Sequence, residues 1–245
     1  MNIALIFAGG SGNRMGAAIP KQFLKINGVP ILIHTMRLFE KHPQIDCMYL
    51  AVPEQYITRA QGMIAEYGLG KTRRVIAGGD SAQDTIYRLL KEAQRENPED
   101  SIVLLHDGVR PFIPMDLITS NIEGVKRYGS AVTCIPSYET VIVSEDGERV
   151  GDVPFRKETY TAQAPQSFIL KDILDAHEQI RKRPEGYENM VDACTILRTL
   201  GREVHMVRGN RGNLKITTPE DVFVYRALLE YREHEETFGL GAESI

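Results

Sequence analysis

Three glycines, an arginine and a lysine follow the first apolar run of the chain, in the stretch IFAGGSGNRMGAAIPKQF (6–23). Gly9, Gly10 and Gly12 leave backbone N–H groups bare enough to approach phosphate oxygens. A tight turn needing positive φ asks for the same glycines, so they do not decide the matter alone. Arg14 and Lys21 add two cations that a turn does not need, at a distance suited to a polyphosphate whose charge exceeds what N–H groups neutralise. The spacing is not G-x-G-x-x-G, because Met15 stands two residues after Asn13, and no G-K-[ST] follows as in a P-loop.

Three more segments carry residues of the same kind. GGDSAQDT (78–85) joins glycines to a polar turn, and LLHDGVRPF (104–112) brings Asp107 and Arg110 to the end of an apolar run. Asp107 reads either as a magnesium ligand, since Mg²⁺ takes one or two carboxylates plus substrate oxygens, or as an ion-pair or cap partner of its neighbours. His106 reads as an acid–base group or as a core histidine. In NLKITTPED (213–221), Lys215 falls in an expected strand, at an edge or aimed at an anion.

The elements that must position these residues alternate. Apolar runs at 2–8, 47–52, 73–78 and 101–106 read as strands, and helical spacing at 31–42, 54–67, 82–96 and 115–128 reads as helices. That series predicts an α/β fold with a mostly parallel sheet and helices on both faces. Ligands of such sheets bind beyond the carboxyl ends of the strands, where the glycine turn and Asp107 lie. A strand at 130–135 is followed by β-prone pieces around Asp146-Gly147, a hairpin signal and an expected projecting arm. Helices are expected near 171–182 and 189–200, and strands near 203–207 and 213–217. A last helix starts at Thr218-Pro219, with Thr218 as N-cap and Glu220 and Asp221 in its first turn. No repeat or linker divides the chain, so one domain over 1–235 with a tail at 236–245 is expected.

With 245 residues, of which 42% are apolar and 25% charged, the chain can bury a sizeable core. A net charge of −4 gives no basic field for nucleic acid or a membrane surface, so an anion site must be built locally. Cys47, Cys134 and Cys194 lack metal-ligand spacing and read as buried reduced thiols. Ile3–Ala8 is too short and lacks the basic flank of a signal peptide, and no stretch reaches transmembrane length. A cytoplasmic setting is expected.

Together, AGGSGNRM…PKQF, GGD, HDGVRPF, APQSF, DAC and NLKITTPED resemble, in order and over residues 3 to about 232, the CTP-dependent polyol-phosphate cytidylyltransferases. The nearest branches act on ribitol 5-phosphate and 2-C-methyl-D-erythritol 4-phosphate. The resemblance implies a Rossmann-like nucleotidyltransferase fold with a projecting β-arm. It implies a CTP-binding loop at Ala8, Gly9, Gly10, Ser11, Gly12 and Arg14, with Lys21 after it. Cytosine and ribose contacts fall on Gly79, Asp80 and Thr85, with Gly108 also nucleotide-binding. Mg²⁺ falls on Asp107, and Lys215 on the far side of the triphosphate. Arg14, Lys21 and Lys215 would be catalytic and Arg110 acceptor-binding. An arm at about 137–157 would form a homodimer with shared active sites, its Thr140 and Arg156 reaching the polyol phosphate in the partner's site.

Ala164 and Val191 stand where many methylerythritol-type members have threonine, and Gly212 where an acidic residue is common. GDVPFRKETYTAQAPQSF and DAC look more like the ribitol branch, although that branch too usually has threonine at 164. The expected reaction is therefore CMP transfer from CTP to D-ribitol 5-phosphate. The alternatives are methylerythritol 4-phosphate as acceptor, a sugar-1-phosphate nucleotidylyltransferase, and a non-catalytic nucleotide-binding protein. Attack by an already ionised phosphate needs no general base, which agrees with the lack of an evident His/Asp or Ser/His pair.

Overall fold

The structure, a computed structural model, describes residues 1–9 and 19–238, with side chains to 231. Gly10, Ser11, Gly12 and Arg14 lie outside the described residues. Strand β1 (Asn2–Phe7) is central, paired in parallel with β4 (Cys47–Val52) on one side and β6 (Ile102–Asp107) on the other. Its side chains alternate between two cores. Ala4 and Ile6 join Met48 and Leu50 on one face, and Ile3 and Leu5 join Tyr49 and Ala51 on the other. A strand buried on both faces must be apolar at every position, as IALI is.

The parallel set is completed by β5 (Thr72–Ala77) beside β4. Helices α1 (Ile31–Lys41), α2 (Ile57–Glu66), α3 (Ala82–Glu96) and α4 (Met115–Tyr128) connect these strands and cover the sheet. On α3, Ile86, Leu89, Leu90 and Ala93 are buried as their spacing requires. Its N-terminus is capped by Ser81, whose Oγ accepts from the Asp84 N–H at 3.0 Å, a bond worth about 1 kcal/mol. Helix α4 ends at Gly129 with φ +78°, a conformation that needs glycine.

The second half departs from the expected alternation. Strand β7 (Ser130–Pro136) is present, but it does not pair with β6. Strand β8 (Tyr160–Ile169), not anticipated from the sequence, runs antiparallel between them, giving the order β5-β4-β1-β6-β8-β7-β9 with β9 (Met206–Arg208) at the edge. Pro165 interrupts the alternation inside β8, near the register shift between Val132 and Cys134, which hides the strand from a pattern reading. A two-stranded ribbon, β2 (Lys25–Ile26) with β3 (Val29–Pro30), was also unforeseen.

Helix α5 (Leu170–Arg181) lies where expected, whereas α6 (Ala193–Thr199) begins later than 189 because Asp192 caps it, accepting from the Thr195 N–H at 2.8 Å. The expected strand at 213–217 is not one: it lies against Val109 through a single backbone bond, Ile216 N–H to Val109 O at 2.9 Å. Lys215 is accordingly not inside a strand. Helix α7 (Pro219–Phe238) passes the expected domain end at 235. Its first turn is held by the Asp221 carboxylate, which accepts from the Thr217 and Thr218 N–H groups.

In the arm, the expected hairpin reduces to one bridge, Val143 with Asp152, around a turn with Gly147 at φ +75°. A two-stranded ribbon with nothing packed on it is marginal alone. Ile142, Val150, Val153 and Phe155 are left exposed there. Among the described residues, no helix is long and apolar enough to cross a membrane. Cys47 and Cys134 are buried, Cys194 is only half-buried, and all three are unpaired.

Candidate active site

The parallel strands end at one level. Register pairs Phe7 with both Ala51 and Asp107, so the exits of β1, β4 and β6 lie side by side. Beyond them is a cleft in two halves. The larger encloses about 480 Å³ and is lined by Ala8, Gly9, Lys21, Gly79, Asp80 and Thr85. The smaller, about 240 Å³, is lined by Gln83, Arg110, Gln163, Ala164, Gln166 and Asp192. Asp107 and Lys215 border both halves.

The larger half is shaped by short polar ties. The Gln22 amide donates to the Ala8 carbonyl at 2.8 Å and thereby holds the exit of β1. The Thr85 hydroxyl accepts from the Gly79 N–H at 2.9 Å and donates to the Ser81 carbonyl at 2.8 Å. Thr85 therefore lines the cleft while its hydroxyl is committed to the loop's own shape. A Cβ on Gly79 would collide with the Asp84 carboxylate, so only glycine lets the loop lie this close to α3. Gly108, expected to touch the nucleotide, is instead buried against Ala8 and Leu32, where a Cβ would come within 2.8 Å of the Ala8 methyl. It lines neither half, and it keeps β1 and the β6 exit in contact.

At the junction, Asp107 Oδ2 accepts from Arg110 Nε at 2.8 Å and Oδ1 from Lys215 Nζ at 2.7 Å. Burial raises this carboxyl, but the Lys215 and Arg110 charges outweigh it and hold the group below its ordinary value. It is ionised at neutral pH. Arg110 is fixed further by donating from Nη1 to the Asn213 carbonyl at 2.9 Å. Asn213 in turn donates from Nδ2 to the Ala164 carbonyl at 2.6 Å, tying the 213–217 segment to β8. His106 is fully buried, and burial pulls its pKa down to about 4. It is a neutral core side chain packed edge-on to Phe39, not an acid or base of the cleft.

Ala8 and Gly9 at the exit of β1, Lys21 in the larger half, and Lys215 with Asp107 at the junction make a site for a charged phosphate chain on one side and a second small anion on the other. The family model described as IspD, 2-C-methyl-D-erythritol 4-phosphate cytidylyltransferase, matches residues 2–231. The chain belongs to this cytidylyltransferase family. It is 39% identical over 240 residues to the ribitol-5-phosphate cytidylyltransferase of Vibrio parahaemolyticus, covering 98% of this chain and all of that protein. It is 37% identical over 241 residues to that of Streptococcus agalactiae serotype V, with the same coverage. Among solved structures, the 4-diphosphocytidyl-2C-methyl-D-erythritol synthase of Anaerococcus prevotii superposes with a TM-score of 0.81 at 27% identity, over 94% of this chain and 96% of that one. The 2-C-methyl-D-erythritol 4-phosphate cytidylyltransferase of Thermus thermophilus does so with a TM-score of 0.70 at 28% identity, over 93% and 98%. The protein is a CTP-dependent nucleotidyltransferase.

Within the cytidylyltransferase cleft, the structure brings together Ala8, Gly9, Lys21, Gly79, Asp80, Thr85, Asp107, Arg110 and Lys215. Thr140 and Arg156 are exposed and border neither half of this chain's own cleft, since they sit in the arm and at its base. Sequence reasoning missed Gln83, Gln163, Gln166 and Asp192. They lie inside the stretches GGDSAQDT, GDVPFRKETYTAQAPQSF and DAC, but none was named as a site residue, because buried polar side chains leave no periodic signal.

Proposed function

We propose that this enzyme transfers CMP from CTP to D-ribitol 5-phosphate, giving CDP-ribitol and pyrophosphate. The observation that carries the acceptor is the end-to-end similarity to two ribitol-5-phosphate cytidylyltransferases, which extends through the β8 and α6 segments lining the smaller half. CTP occupies the larger half, its triphosphate over the β1 exit beside Lys21, its base toward Gly79 and Asp80. The acceptor phosphate lies by Arg110. Its second pKa is near ~6, so it is mostly dianionic at neutral pH and attacks the α-phosphorus without a general base. Lys21 and Lys215 flank that phosphorus and stabilise the charge that grows on its oxygens.

A single carboxylate fits Mg²⁺ here. Asp107 is ionised at the junction, each of its oxygens keeps a second lone pair, and Mg²⁺ completes its shell with phosphate oxygens and water. When bound, the ion neutralises phosphate charge. No cluster of three His, Cys, Asp or Glu able to cage a metal occurs among the described residues, consistent with a site completed by substrate.

The catalytic domain and its arm work as a homodimer in which the exposed apolar arm packs on a partner and delivers Thr140 and Arg156 to the partner's acceptor half. The unpaired thiols support a reducing cytoplasmic setting. Mixing Lys215→Ala chains with Arg156→Ala chains should restore activity that neither has alone. No recovery would separate the arm from the site.

The acceptor is tested by pyrophosphate release from CTP and Mg²⁺ with ribitol 5-phosphate and methylerythritol 4-phosphate side by side. A higher kcat/KM for ribitol 5-phosphate is expected. Preference for the branched acceptor would overturn the assignment and leave the nucleotide half intact.

A further inference from the structure

We infer that Gln83 contacts the acceptor and reads a hydroxyl of its carbon chain. The inference rests on the proposed reaction and adds a specificity residue to it. Gln83 is the second residue of α3, 3% exposed, and borders the smaller half of the cleft but not the larger. Its Oε1 is buried and has no hydrogen-bond partner among the described residues.

The other neutral polar walls of this half are already committed. Gln166 donates from Nε2 to Asp192 Oδ2 at 2.8 Å and accepts on Oε1 from the Cys194 N–H at 3.1 Å. The remaining Asp192 oxygen caps α6. Gln163 donates from Nε2 to the Asn210 carbonyl at 3.0 Å and accepts on Oε1 from Asn213 Nδ2 at 3.3 Å. These groups hold β8, α6 and the 213–217 segment in place, so they have little left to offer a ligand.

Gln83 is different. Its backbone is fixed, because the start of α3 is held by the Ser81 cap and by Arg181, which donates from Nη1 to Asp84 Oδ1 at 2.7 Å. An unmet amide acceptor costs stability when desolvated, and an O–H donor meets that need without bringing a second charge into the half. On the proposed reaction Arg110 takes the acceptor's phosphate, and Gln83 lines the same half, which the carbon chain shares. A polyol supplies hydroxyl donors along that chain. The amide is therefore held ready for one of them.

The test is Gln83→Leu, which keeps the side chain's bulk and removes its hydrogen bonding. The KM for the polyol phosphate should rise roughly tenfold, while the KM for CTP and the kcat stay close to wild type. Tm should hold or rise, because no intramolecular partner of Oε1 is lost. An unchanged acceptor KM would overturn the inference, as would an equal rise in both KM values. So would a fall in Tm with no selective loss of acceptor affinity, since that is what a structural glutamine gives. If wild-type enzyme uses only methylerythritol 4-phosphate, the ribitol assignment falls, and the same comparison on that acceptor still decides the role of Gln83.

Discussion

Lys215→Ala is expected to lower kcat by about 10²- to 10³-fold while the protein stays folded. The side chain borders both halves of the cleft, where the proposed reaction brings the α-phosphorus of CTP to the attacking phosphate. Its Nζ lies on Asp107 Oδ1, so the cation is held in place by a buried carboxylate that Arg110 steadies from the other side. Charge accumulating on the phosphate oxygens in the transition state attracts the ammonium more than the ground state does, so its removal falls on kcat. Folding should survive, because the side chain is 42% exposed and the segment is anchored by Ile216, fully buried and bonded to the Val109 carbonyl. Single-turnover transfer and a melting curve on the same sample separate the two effects. Near-normal turnover would remove Lys215 from the mechanism.

Acid is expected to destabilise the fold well above the range where carboxylates titrate. His106 and His177 are both fully buried, and burial lowers their pKa values to about 4 and about 3, with the Arg181 charge adding to the effect at His177. In the unfolded chain both return to the ordinary value of about 6.5. Between those values the unfolded chain binds protons that the folded chain refuses, so stability is full above pH 6.5 and falls as pH drops toward 4. His106 alone makes this on the order of 3 kcal/mol by pH 4. Burial shifts His34 and His42 in the same direction. The urea midpoint should therefore drop clearly between pH 7.5 and 5, and His106→Gln should flatten that slope. A midpoint constant over the window would mean these imidazoles are not held neutral.

The two outcomes depend on features legible to different degrees. HDGVRPF put Asp107 and Arg110 near a strand end, but their reading stayed open between metal ligand and ion pair. The structure makes the ion pair definite, adds Lys215 to it, and leaves lone pairs for a metal. The same segment left His106 open between acid–base group and core side chain, and only packing against Phe39 at the centre of the sheet decides for the core. The resemblance implied a nucleotide contact at Gly108, yet Gly108 is packed against Ala8 and Leu32.

By itself, the sequence determined the main alternation of strands and helices through residue 128, apart from the β2–β3 ribbon, and the place of Ala8, Gly9 and Asp107 at the exits of β1 and β6. Periodicity and turn chemistry are local, and those features are written locally. Tertiary structure alone decided that β8 enters the sheet antiparallel between β6 and β7, that the 213–217 segment is held by Asn213 and Val109 and not by a ladder, and that Lys215 reaches Asp107. It also left Gln83 as the wall residue with an unmet acceptor. Each of these is a pairing between residues far apart in the chain, chosen by which buried polar group finds a partner, and no window of neighbouring residues contains that choice.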